Sequence, residues 1–122
     1  MDFKNIFKHF LGIPAQLLPL SFWIKATGQN LFLPFYHSIG NTEDLPHIKH
    51  LYRPRTGKEF EKDMEFLLKN YEPIDLEKLT KNIDNQLITK PSFFLSFDDG
   101  LSEVYHIAAP ILKKKGMPAT IF

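Results

Sequence analysis

The segment Pro91-Ser-Phe-Phe-Leu-Ser-Phe97 constrains this chain more than any other. It is nearly continuous in apolar residues and lacks the alternation of a half-buried strand, so a strand made from it must be covered on both faces. Such strands belong to parallel sheets with helices packed against them. The run ends in Asp98-Asp99-Gly100, and a helix is predicted from near Ser102. Val104, Ile107, Ala108, Ile111 and Leu112 give that helix a buried face, and Pro110 predicts a kink. Lys113 to Lys115 suit its C-terminal end, where the helix dipole favours cations, and Gly116 suits the C-cap. Pro118-Ala-Thr-Ile-Phe122 then starts a second apolar strand. The result is a βαβ unit, which requires a parallel pair.

Upstream, Leu31-Phe-Leu-Pro-Phe-Tyr36 reads as another strand ending at a Ser-Ile-Gly-Asn turn. Pro34 cannot donate to a ladder, which predicts an edge or a strand start. Residues 41–55 show no period and are expected to form a loop. Thr56-Gly-Lys-Glu59 has the form of a capping box, and Phe60, Met64, Leu67, Leu68 and Tyr71 follow as one apolar stripe. Pro73 is expected to stop that helix. A shorter helix follows, capped by Asp75 with Leu76, Leu79 and Ile83 on one face, and Asp84-Asn85 reads as a turn.

Residues 1–30 form an extension of a different kind. Lys4 and Lys8 precede an apolar stretch from Phe10 to Ile24, a pattern shared with signal peptides. Pro14 and Pro19 interrupt it, however, and Lys25 closes it without a small-residue cleavage site. The stretch is also shorter than the about 20 residues a membrane span needs. A peripheral amphipathic or packed segment is therefore the expectation, with membrane association as an unsupported alternative.

Place Asp98 and Asp99 on the βαβ unit and both fall at the carboxyl end of a buried parallel strand, where α/β folds hold their ligands. Neighbouring carboxylates repel, and both stay ionised at neutral pH only where a cation or several donors hold them. A divalent metal is the simplest answer. The plainer alternative is that one acid caps the following helix while Gly100 makes the turn. The residues alone leave both open.

Leu95-Ser-Phe-Asp-Asp-Gly100 resembles the Thr-Phe-Asp-Asp-Gly motif of the polysaccharide deacetylases, the chitin-deacetylase-like or NodB-homology domain. Leu33-Pro-Phe-Tyr-His37-Ser-Ile is similar to the Tyr-His strand that opens many bacterial members. Glu59 to Leu68 with Tyr71-Glu-Pro-Ile resembles their early helix and its exit, and Ala109 to Phe122 resembles the segment after the first motif. The resemblance covers residues 31–122 and implies an α/β fold, the N-terminal portion of a distorted (β/α) barrel. It implies hydrolysis of N-acetyl groups on an amino-sugar glycan, with Asp98 as catalytic base and Asp99 as a ligand of a divalent metal, by resemblance zinc. His37 follows an apolar strand, a position from which it either makes a structural hydrogen bond or reaches the mouth of the site. In that reading the ion polarises the acetyl carbonyl while Asp98 takes a proton from the attacking water. Ser96 departs from the family's Thr conservatively. The family's His-Ser/Thr-x-x-His motif, which supplies two further metal ligands, does not occur before Phe122, nor do its later arginine, aspartate and histidine motifs. The expectation is thus a truncated domain, inactive by itself, whose partner is the remainder of the same domain.

Other features weigh less. His47 and His50 stand at i, i+3 without the family's Ser/Thr and read as a solvated loop; His9, His106 and Trp23 read as structural. With 15 basic and 14 acidic residues, the chain has no electrostatic footprint for nucleic acid. It contains no cysteine, which excludes disulfides and thiolate metal sites. A reducing compartment is permitted by this and not established by it. Two rival functions remain: a non-catalytic relative that binds carbohydrate or protein, and a Mg²⁺-dependent phosphoryl-transfer enzyme. The latter type would want Asp-x-Asp, whereas here the acids are adjacent.

Overall fold

The structure is a computed structural model that describes residues 17–46, 48, 50–85 and 88–122. The expectations for residues 1–16, including His9 and most of the apolar stretch from Phe10, lie outside the described residues, as does His47. The first described helix, α1 (Leu20–Thr27), follows Pro19 and ends at Gly28, which takes the left-handed conformation at φ 67°. It buries Ile24 and leaves Leu17, Leu18 and Phe22 exposed near its start. Among the described residues no helix is long and apolar enough to cross a membrane.

The central strand is the segment singled out in the sequence. It appears as β4 (Ser92–Phe93) and β5 (Ser96–Phe97), flanked by β1 (Leu31–Phe32) and β2 (Phe35–Tyr36), each pair parallel. The breaks in both strands have one cause. The amides of Ser92, Phe94, Ser96 and Asp98 donate in turn to the carbonyls of Asn30, Phe32, Pro34 and Tyr36, at 2.7, 3.0, 3.2 and 2.9 Å. The register therefore runs on through the gap. What is missing is the return bond to Phe94, because Pro34 has no N–H. As Pro34 foretold, this strand lies at an edge of the sheet.

The opposite side of the central strand is shared. β3 (Glu72–Pro73) lies along its first half and β6 (Thr120–Ile121) along its second, both parallel to it. The amides of Glu72 and Ile74 donate to Pro91 and Phe93, and those of Thr120 and Phe122 to Leu95 and Phe97. The α/β class and the parallel βαβ pair are thus present.

α2 (Gly57–Asn70) begins at the capping box read from the sequence: Thr56 Oγ1 accepts from the Glu59 amide, and Glu59 Oε2 accepts from the Thr56 amide. Its buried stripe is Phe60, Met64 and Leu67. Leu68, expected on that stripe, is exposed, because the sheet and the helix after it cover only a narrow face. The helix stops at Asn70, three residues before Pro73, with Tyr71 already extended. Pro73 sits instead in β3, where successive amides point to opposite sides and the missing N–H falls on the unpaired edge. α3 (Leu76–Asn85) is capped as expected, with Asp75 Oδ1 accepting from the Lys78 amide at 2.7 Å. Leu79 is buried but Leu76 is exposed, and the helix continues through Asp84 and Asn85, where a turn was expected.

The helix after the acids starts at Ser102 and passes through a π-helical turn, Val104–Ala108, into α4 (Ala109–Lys115). This is the form the predicted kink takes. Pro110 cannot donate to the carbonyl four residues back, and the ladder widens so that the Ala109 amide bonds Val104. Gly116, at φ 63°, ends α4, with the Met117 amide reaching back to Leu112 at 3.0 Å. Lys115 ties α4 to α2 through Glu65 Oε1 at 3.0 Å.

Phe93, Leu95 and Phe97 face the helices and pack with Phe60, Met64, Val104 and Leu112 in the main core. Phe94 turns the other way, into a second cluster with Ile74 and Leu79. Each fully buried Phe contributes about 1.5–3 kcal/mol relative to exposure.

Candidate active site

The parallel register fixes who meets the acids. Phe35 pairs with Ser96 and Tyr36 with Phe97. One further step sets His37 beside Asp98, on the face away from the main core. There His37 Nε2 stands 3.8 Å from Asp98 Oδ2, each side chain about two-fifths exposed. The separation is beyond hydrogen-bond length, within range of an ion pair or of a shared small ligand.

Asp98 leaves the strand with its amide still bonded to Tyr36. Asp99 then takes a left-handed φ of 71° and Gly100 one of 51°. Among the described non-glycine residues only Asp99 has a positive φ, a conformation that costs a residue with a side chain more than it costs glycine. The turn exposes Asp99 while Asp98 stays half-buried. Among the described residues neither carboxylate caps the helix that follows, so the plainer account of these acids finds no support there.

Two aromatic rings lie near His37. The Phe35 ring lies 5.7 Å from its imidazole and the Tyr52 ring 6.2 Å away. On the opposite face of the strand, Tyr36 donates to Asp63 Oδ2 at 3.0 Å, and Arg55 grips both oxygens of Asp63 at 2.8 and 2.6 Å. Burial, then the Asp63 carboxylate, pushes the Tyr36 phenol well above its usual range. The Arg55 carbonyl accepts from the Gly40 amide at 2.8 Å, closing the loop back onto the His37 turn. Desolvation raises the Tyr52 phenol, and the Asp99 carboxylate raises it further.

The structure thus brings Asp98, Asp99 and His37 to one strand end. His50 and His106 are both exposed; His106 lies on the π-turn against the Tyr105 ring. Sequence reasoning missed Tyr36, Tyr52, Arg55 and Asp63. The loop over 41–55 has no period to read, and Arg55 meets Asp63 eight residues on, a spacing with no local signature. Among the described residues no three His, Cys, Asp or Glu side chains converge as a metal site. Asp98, Asp99 and His37 as they stand do not form the three-ligand set of a catalytic zinc. A groove of about 530 Å³ lies elsewhere, along the outer edge of β1 and β2 against Phe66 and Leu67 of α2.

Comparison with known proteins bears on the same residues. A family model described as polysaccharide deacetylase matches residues 87–122, the central strand, both acids and the helix and strand after them. Over 110 residues the chain is 38% identical to a Bacillus subtilis (strain 168) protein named "Putative polysaccharide deacetylase YxkH". That match covers 84% of this chain and 35% of the relative, so the chain spans about a third of the relative's length. No solved structure matches significantly. Over these residues the chain is similar to the polysaccharide deacetylases.

Proposed function

We propose that this chain belongs with the polysaccharide deacetylases and supplies the first part of an active site that removes N-acetyl groups from an amino-sugar glycan. The observation that carries the reading is the approach of His37 to within 3.8 Å of Asp98 at the carboxyl end of a buried parallel strand, with Asp98 inside the matched segment. We read the sheet as the opening part of a distorted (β/α) barrel, with the remainder of the domain as its partner. Asp98, half-buried and beside an imidazole, is placed to take the proton of a water attacking the acetyl carbonyl. Water adds to the carbonyl carbon, the C–N bond breaks, acetate departs, and the proton taken from water is returned to the sugar amine.

A divalent cation, by resemblance zinc, belongs to this reading with Asp99 as a ligand. Among the described residues the donors do not complete its site, and in this reading the remaining ligands lie in the part of the relative's length that the chain does not span. Acetate release is accordingly expected from the longer protein and not from this chain by itself.

The test is acetate release from N-acetylglucosamine oligomers by the full-length protein. Asp98→Asn should lower kcat/KM by about 10²–10⁴-fold, the usual contribution of a positioned base. Undiminished hydrolysis by that variant sinks the assignment of the base. Oligomer binding without any acetate release by the unmodified protein points instead to a non-catalytic, carbohydrate-binding relative.

A further inference from the structure

We propose that Tyr52 forms the glycan-contacting wall of this site, its ring serving as the platform for the pyranose that carries the acetamide. The inference rests on the deacetylase reading and adds to it a residue that sits some 45 positions upstream of the acidic motif.

The first support is position. Tyr52 is the one exposed aromatic among the described residues that both packs on the His37 ring and feels the Asp99 carboxylate. Its ring plane is tilted 59° from the imidazole, so it extends the site's mouth without stacking flat over His37. Phe35 lies 5.7 Å from the same imidazole, so the three rings form an aromatic strip beside the carboxylates.

The second support is that the loop is built and anchored. Leu45, Ile48 and Pro54 are buried, and the Leu51 amide bonds the Ile48 carbonyl at 2.8 Å. Arg55, just after, is fixed to Asp63 and to Gly40. Between these anchors Leu51 is 76% and Tyr52 40% exposed. The loop is therefore anchored on both sides of the exposed Tyr52 ring, which lies beside His37.

The third support is chemistry. A pyranose offers a C–H face and a rim of hydroxyls. Tyrosine offers an apolar ring and a polar tip, the combination that suits a surface half apolar and half wet. A phenol is protonated at neutral pH, so its O–H is a donor to a sugar oxygen.

The experiment measures binding of an N-acetylglucosamine tetramer to the full-length protein carrying Asp98→Asn, so that no turnover intervenes. Adding Tyr52→Ala should weaken Kd about tenfold, the order expected for a lost aromatic contact, and Tyr52→Phe should recover most of the loss. An unchanged Kd for Tyr52→Ala overturns the proposal, as does absence of tetramer binding to the Asp98→Asn protein. A loss that Tyr52→Phe does not recover also overturns the ring platform, since it assigns the contact to the hydroxyl alone. Failure of the deacetylase reading shows separately, as absent acetate release from the unmodified protein, whatever the tetramer's affinity.

Discussion

The two faces of the central sheet differ in what covers them, and the difference separates folding from chemistry. On one face Phe93, Leu95 and Phe97 are sealed by α2 and the helix after the acids. On the other, α3 covers only the lower end, where Phe94 meets Ile74 and Leu79. Above it Leu33, Phe35 and Phe122 are 53%, 60% and 67% exposed, and His37 and Asp98 lie in the same row. Strand alternation puts adjacent residues of one segment to these opposite uses. The sealed face supplies the burial that fixes the register, and the register in turn sets His37 against Asp98.

The largest expected effect tests the sealed face. Phe97 is fully buried and packs on Tyr36 and Phe60. Phe97→Ala should destabilise the chain by about 3–5 kcal/mol in urea titration, the range for a buried aromatic truncated to a cavity. A cost under about 1 kcal/mol would mean that this face is not what holds the sheet.

Next in size is a pH effect from the boundary between the faces. The Tyr36 phenol is held above its ordinary value of 10.0 by burial first and by Asp63 second. A raised folded value means the folded state keeps a proton that the unfolded chain has lost. The stabilisation is whole below pH about 10 and declines as pH rises towards the folded value, by up to about 1.4 kcal/mol per pH unit for one proton. Denaturation midpoints followed above pH 10 should fall in the unmodified chain, and less steeply in Tyr36→Phe. Parallel slopes would show that Asp63 and Arg55 do not seal the phenol.

These contrasts also explain which parts could be read from sequence. Pro91 to Phe97 announced a doubly covered strand because composition alone encodes burial. The Thr56–Glu59 box and Gly116 were legible because caps are local chemistry at fixed offsets. β3 was not, since Glu72 and Pro73 carry no strand preference of their own; the carbonyls of Pro91 and Phe93 impose extension on them. The helical state of Asp84 and Asn85 likewise overrides residues that favour turns. At the site, Asp98, Asp99 and His37 could be singled out by motif, but their approach depends on pairing between strands sixty residues apart. Tyr52 needed the loop's whole path, which no spacing rule describes.

A smaller effect is expected at the strand exit, with opposite signs for stability and function. Asp99 pays for its left-handed φ of 71°, a cost of about 1–2 kcal/mol for a residue with a side chain. Asp99→Gly removes that cost but adds about 0.5–1 kcal/mol of chain entropy to lose on folding. The net should be a stabilisation of about 0.5–1 kcal/mol in urea titration. Acetate release by the full-length protein should fall with the lost carboxylate. If the variant is instead less stable, Asp99 makes structural contacts, and the strain is not kept for the site's sake.

The smallest effect bears on the open face. Phe35→Ser in the 122-residue chain removes a ring that is mostly in solvent, and should change stability by less than about 0.5 kcal/mol. The same substitution in the full-length protein distinguishes two accounts of that face. If elements outside these 122 residues cover Phe35 there, the cost should rise towards the about 3–5 kcal/mol of a buried aromatic. If it stays small, Phe35 remains in solvent in the whole protein, and the strip that it forms with His37 and Tyr52 is open for a long glycan. Equal and large costs in both lengths would contradict the exposure of this face and erase its distinction from the sealed one.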